Sequence, residues 1–208
     1  MTVKILSRAR AGWVGLVVGA LALLPCQGLA QTAAGSSPPR VTVQNFAAQG
    51  NLAVTHALTC TTFDKMKTDY TPADIYPAFA DCVANARYQD ATQLFMLAGA
   101  YSAFDTQRVA DVSAHDAKTV LVMQSLAAVD PAKKAAWQQA LRTYITGGGL
   151  AEGCAAVRRL GPPTYYPAYM IQHGMAAFQT NPPAPLVEPF DAAAAWQSTL
   201  TTYLQCPA

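Results

Sequence analysis

TPADIYPAFADCVANARYQDATQLFMLAGA, residues 71–100, is the stretch whose period sets the fold class. Asp74 is a residue type that caps helices, and Ile75, Phe79, Cys82 and Ala86 follow it at spacings of three and four. Such spacing places them on one face of an α-helix. With Asp74 as cap, Pro77 falls in the first turn, where its missing N–H costs nothing. Tyr76-Pro77-Ala78-Phe79 returns later as Tyr166-Pro167-Ala168-Tyr169. The repeat reads the same way, as a helix start near Tyr165 whose aromatic side chain enters the core. A second helix is expected from Gln89 to Ala103, with Ala91, Leu94, Phe95 and Ala98 sharing a face.

The helical period extends outward from this pair. Upstream, LAVTHALTCTTFDKMK (52–67) brings Ala53, Ala57, Cys60 and Phe63 near one face. Downstream, Asp105 is placed to cap a short helix, and Ser113-Ala114-His115-Asp116 matches a capping box. The segment behind that box, TVLVMQSLAAV, is apolar nearly all round, which predicts the central helix. Asp130-Pro131 is a cap followed by proline at the first helical position, ahead of a stripe of Trp137, Leu141, Tyr144 and Ile145. Gly147–Gly149 ends that helix. A short helix follows from Leu150 to Leu160, then one from Tyr166 to Phe178. NPPAPLVEP (181–189) reads as an extended connection, and Asp191 caps a last helix carrying Trp196, Leu200, Tyr203 and Leu204. VTVQNF (41–46) alternates like a short strand without an evident partner. The expected fold is all-α, a domain of stacked helical hairpins with roughly seven to nine helices.

ARYQDATQLFMLA (86–98) sets a small residue, then Tyr88, Ala91, Phe95 and Ala98, in an order that resembles the second half of a tetratricopeptide-type repeat. That resemblance implies two antiparallel helices brought close by their small residues, with aromatics filling the groove between them. The first half departs from the pattern, because Cys82 stands where an aromatic is usual. One repeat length away, Ser125 and Ala57 stand opposite Ala91 without a second aromatic pattern, so no tandem array is expected.

The N-terminus has the three-part layout of a secretory signal peptide. Lys4, Arg8 and Arg10 precede an uncharged apolar run, residues 11–25, and Gly28-Leu29-Ala30 carries small residues where a signal peptidase reads. Cleavage is expected before Gln31. The apolar run is short for a membrane span. A lipoprotein anchored through Cys26 would need a small residue before that cysteine, and Pro25 stands there. The expected organisation is a signal peptide over 1–30, a flexible leader over 31–50 and a single helical domain over 51–208, in the periplasm or secreted. Three of the chain's 14 basic residues would leave with the signal, against 12 acidic ones, so the mature chain is close to neutral. That balance argues against long-range attraction to nucleic acid or an anionic membrane.

Cys60, Cys82, Cys154 and Cys206 remain after Cys26 is lost, an even set in an exported chain. Of the three possible pairings, the local ones are favoured: Cys60–Cys82 and Cys154–Cys206. No pair has the short spacing of zinc ligands, so no metal or other cofactor is expected.

Motifs that carry a mechanism are missing: there is no G-x-S-x-G, no H-E-x-x-H, no phosphate loop and no dinucleotide fingerprint. His115-Asp116 is the best general-base pair on paper, and His173 is the other titratable candidate. Tyr165, Tyr166, Tyr169, Met170 and His173 would together make an aromatic, methionine-lined groove for a ligand or a partner. The expected function is therefore a non-catalytic, exported, disulfide-stapled module that binds another protein in the bacterial envelope. A toxin-neutralising, immunity-type protein is one concrete form of it. A periplasmic, hydrolase-like enzyme using His173 or His115, or a small-ligand carrier using the aromatic groove, is the alternative.

Overall fold

The computed structural model describes residues 46–207. The signal sequence, Cys26 and all but the last residue of VTVQNF lie outside that range. Seven α-helices follow one another with no strand among the described residues: α1 (Pro72–Ala84), α2 (Tyr88–Arg108), α3 (Ala117–Leu126), α4 (Pro131–Thr146), α5 (Gly149–Leu160), α6 (Ala168–Ile171) and α7 (Ala192–Ser198). The last helix runs on into a π turn, Thr199–Tyr203.

The first helix starts three residues earlier than Asp74 predicts. Thr71 is its N-cap and Asp74 is the third helical position of a complete capping box, with Pro72 leading. Pro77 thus sits inside α1 rather than in its first turn. It removes one helical hydrogen bond, and α1 remains helical because Ile75, Tyr76, Phe79, Cys82 and Val83 are completely buried.

α2 is the central helix. Ala91, Ala98 and Ala100 are fully buried along it, and so is Ser102. Small side chains let the neighbours come close. At Gly99 a Cβ would stand 2.5 Å from the Tyr203 hydroxyl, so the Tyr203 ring lies close over α2 and a larger residue there would have to push it aside. α1 and α2 are joined by three residues and pack along their length as a helical hairpin. That is the arrangement the repeat-like motif implies. Ala86, however, lies in the linker at φ 57° instead of on the helical face. A cluster of Phe79, Phe95 and Trp137 ties α1, α2 and α4 together, with ring centroids 4.8–5.2 Å apart.

The segment TVLVMQSLAAV is not central. α3 buries only Ala117 and Leu121, and Met123 is exposed. Its apolar surface exceeds what its neighbours cover. The capping box expected at Ser113 does not form either. Asp111 caps a 3-10 turn, Val112–Asp116, by accepting from the Ser113 amide. Residues 52–62 are not helical, although their apolar spacing is. Val54, Thr55, Thr59, Thr61 and Thr62 are β-branched, and the amides of Thr55, His56 and Cys60 donate to the carboxylates of Asp74 and Asp81 on α1. Fixed acceptors on a neighbour outcompete a local helix. Similarly, the helix expected from Tyr165 or Tyr166 to Phe178 does not form as one. α6 starts only at Ala168, with Pro167 as its N-cap rather than in its first turn, and ends at Ile171. Gly174 in an extended conformation sets it apart from a 3-10 turn, Met175–Phe178.

Asp130 caps α4 as read, accepting from the amides of Ala132 and Lys133, and Asp191 caps α7. Both expected disulfides are present: Cys60–Cys82 and Cys154–Cys206. The second closes a sequence separation of 52 residues and fastens the C-terminal turn to α5. Chain-entropy reasoning assigns it about 4 kcal/mol, against about 3 kcal/mol for the shorter loop. Replacing Cys154 and Cys206 together by alanine is therefore expected to lower the urea-unfolding free energy more than replacing Cys60 and Cys82. Equal losses would show that loop length does not govern these bridges.

Candidate functional site

The five residues expected to share a groove part company on the two sides of α6. Tyr165 and Tyr169 turn inward, and their hydroxyls donate to Oδ2 of Asp105 at 2.9 and 2.8 Å. Met170 is fully buried in the core. Tyr166 is 56% exposed. His173 Nδ1 donates to Asn51 Oδ1 at 2.9 Å, which ties α6 to the N-terminal segment. A backbone bond from Leu52 N to Tyr169 O, 3.1 Å, reinforces that tie.

Asp105 is the residue that sequence reasoning misplaced. It was expected to cap a helix, and it lies inside α2, completely buried. Its Oδ1 accepts from Arg108 Nε at 2.8 Å, and Arg108 Nη2 stands 2.7 Å away without a hydrogen-bonding alignment. The guanidinium is flanked by the rings of Phe104 and Tyr165, 5.1 and 5.2 Å from their centroids. Burial pushes the Asp105 carboxyl above its usual range, and the opposing pull of Arg108, Tyr169 and Tyr165 does not offset it. The two tyrosines are pushed up by the same burial and then by the Asp105 charge. With the carboxylate sealed from solvent, this network joins α2 to α6 and does not present an acid or base to a substrate. The signal that pointed to it was available: an Asp followed by Arg at i+3 on the same helix face.

His115 and Asp116 do not form a dyad. His115 Nε2 donates to the Val109 carbonyl at 2.9 Å, and Asp116 is exposed, with no hydrogen bond joining them among the described residues. Among the described residues no group of three or more His, Cys, Asp or Glu side chains converges in a way that could hold a metal ion. No helix among them is long and apolar enough to cross a membrane.

A groove of about 240 Å³ does lie beside α6, with walls other than those expected. Of the five predicted residues only Tyr166 lines it, together with Val109, Ile171, Gln172, Ala176 and the prolines of 182–185. The proline segment is a wall because its backbone is fixed: Ala110 N donates to Pro185 O at 3.0 Å, and Val109 bridges Leu186 in antiparallel fashion. Asp111 holds the far rim. Its Oδ1 accepts from the Ser113 amide and hydroxyl at 2.9 and 2.6 Å, and its Oδ2 accepts from Ala176 N at 2.8 Å. Ser113 Oγ in turn accepts from Met175 N at 2.8 Å. The bonds from Ser113, then Ala176, hold the Asp111 carboxyl below its ordinary range. They also seat the 3-10 turn of Met175–Phe178 beside Val112. Val112, Met175 and Phe178 are 75%, 65% and 51% exposed. These exposed apolar side chains flank the lining residues Asp111, Ala176 and Ala177 in sequence.

No family model matches the chain, and neither a curated protein nor a solved structure matches it significantly.

Proposed function

We propose that the protein is an exported, non-catalytic module of the bacterial envelope that binds another protein through the groove beside α6. The observation that carries this reading is a pre-formed proline-walled groove lined by exposed Tyr166, with the exposed apolar side chains of Val112, Met175 and Phe178 next in sequence to its lining residues Asp111, Ala176 and Ala177. Scattered exposed apolar residues need no explanation; a grouped set beside a groove is the ordinary mark of an interaction surface. The scaffold suits the task. The Cys154–Cys206 bridge holds α5 to the C-terminal turn, Cys60–Cys82 holds the N-terminal segment to α1, and the buried Asp105 network holds α2 to α6, so binding need not order the surface first. A toxin-neutralising, immunity-type role is one form this activity would take in that compartment.

The test is affinity capture of the mature, oxidised protein from its own envelope fraction, in parallel with Tyr166→Ala/Phe178→Asp. The expected result is a stoichiometric partner with the wild type and none with the variant. The variant's unfolding free energy should stay within about 1 kcal/mol of wild type, because both side chains are largely exposed. Partner retention by the variant, or no partner at all, would remove the groove from consideration.

A further inference from the structure

We propose a second site, independent of the groove, in which Arg108 binds the carboxylate of a small apolar acid. The C-terminal end of α2 and the segment 186–192 enclose a pocket of about 320 Å³, at the small end of the range for organic ligands. Phe104, Phe190, Pro162, Pro163 and Leu186 make its walls apolar, and Arg108 lines it as its only cation. The pocket is built rather than incidental. Val187 N donates to Arg108 O at 2.9 Å, and Phe104 and Phe190 meet edge to face at 5.6 Å, which fixes the wall against the helix end.

Arg108 is prepared for this role. A guanidinium has five N–H donors in a planar fork suited to carboxylates. Among the described residues only Nε–H has an aligned acceptor, Asp105 Oδ1. Asp105 behind it and the rings of Phe104 and Tyr165 beside it leave the guanidinium a single posture, so little side-chain entropy is lost on binding. Nη2 is sealed beside Asp105, so Nη1 is the guanidinium nitrogen left to meet a ligand where the side chain, 13% exposed, borders the pocket. The opposing charge is Glu188, which also lines the pocket and makes no ion pair with Arg108 among the described residues. It repels an anionic ligand and sets a modest affinity. An aromatic or branched aliphatic acid fits these walls. The source is a free acid or the C-terminal carboxylate of a polypeptide, which share the chemistry.

The experiment is a nuclear magnetic resonance titration of the mature, oxidised protein with 3-phenylpropionate, 3-phenylpropanol and 3-phenylpropylamine. The acid is expected to shift resonances of Phe104, Arg108 and Phe190, with a dissociation constant on the order of a millimolar. The alcohol and the amine are expected to bind at least tenfold more weakly. Glu188→Gln, an exposed substitution that leaves the fold alone, should tighten the acid severalfold, and Arg108→Gln should abolish its binding. Because Arg108→Gln also disturbs Asp105, the Glu188→Gln result stands as the second criterion. A tripeptide ending in a free Phe carboxylate, set against its amide, assigns the source: tighter binding than 3-phenylpropionate points to a polypeptide terminus, weaker binding to a free acid. Shifts confined to other parts of the molecule, equal binding of acid and amine, or no gain in Glu188→Gln would each overturn the proposal.

Discussion

Asp105→Ala is expected to destabilise the protein by about 3–5 kcal/mol, the range found when one partner of a buried charge pair is removed. Three donors lose their acceptor at once: Arg108 Nε and the hydroxyls of Tyr165 and Tyr169. For a domain of this size that corresponds to a fall in Tm of roughly 10 °C. The pH dependence is a sharper diagnostic. The folded-state pKa of Asp105 is raised above the usual 3.8, so the folded protein binds its proton more readily than the unfolded chain does. Stability from this group is therefore greatest below pH 3.8 and declines as pH rises through the folded pKa. Asp105→Asn should remove that decline, though it leaves the guanidinium unpaired. Urea unfolding at several pH values for wild type and both variants checks both statements. A loss below about 1 kcal/mol in Asp105→Ala would mean that α2 and α6 are held by packing alone.

Asp74→Ala is the second large effect, about 3 kcal/mol, because one carboxylate serves two purposes. It completes the capping box by accepting from Thr71 N at 2.8 Å, a role worth about 1 kcal/mol. It also accepts from the amides of Thr55 and His56, at 2.6 and 2.8 Å, and these hold the irregular segment 52–62 against α1. Orphaning two such donors costs about 1 kcal/mol or more each. Burial pushes this carboxyl up, yet the bonds from His56, Thr71 and Thr55 outweigh it and leave the pKa below 3.8. The sign is thus opposite to that of Asp105. The stability Asp74 contributes is fully present above pH 3.8 and is lost as pH falls through its folded value. Hydrogen exchange gives a local readout: the Thr55 and His56 amides should lose protection in Asp74→Ala while those in the middle of α2 keep theirs. Unchanged protection at Thr55 and His56 would show that the segment is held by the Cys60–Cys82 bridge instead.

The two aspartates show where reading the chain succeeds and where it stops. Local sequence marks both as helix caps. Asp74 does belong to a cap, three residues from where it was placed, because Thr71 beside Pro72 makes the better N-terminus. Asp105 is interior, because α2 does not end at Ala103: Tyr165 and Tyr169 arrive from sixty residues away to satisfy its carboxylate. A cap is decided by local hydrogen bonds, so the letters nearby nearly suffice. A buried aspartate is decided by partners that only the folded chain supplies.

The candidate site divides in the same way. Tyr165, Tyr166, Tyr169, Met170 and His173 are neighbours in sequence, and a continuous helix through them would have made a groove. α6 spans only Ala168–Ile171, so Tyr165 and Tyr166 lie before it and His173 lies after it, and the five side chains do not share one helical face. The groove that forms needs prolines and Asp111 from other parts of the chain.

What the sequence by itself determined is local in origin: the all-α class, the caps at Asp130 and Asp191, and the stripe behind Asp74. The pairing of the four cysteines was also legible, because the favoured partners lie nearest along the chain. Only the tertiary structure decided that α2 rather than α3 is central. The small residues along α2 allow closer approach on more sides than the bulkier apolar surface of α3 does. It also decided that residues 52–62 stay irregular, and which of five adjacent side chains reach a groove. Those outcomes depend on acceptors and surfaces far away in sequence, and no helical period encodes them.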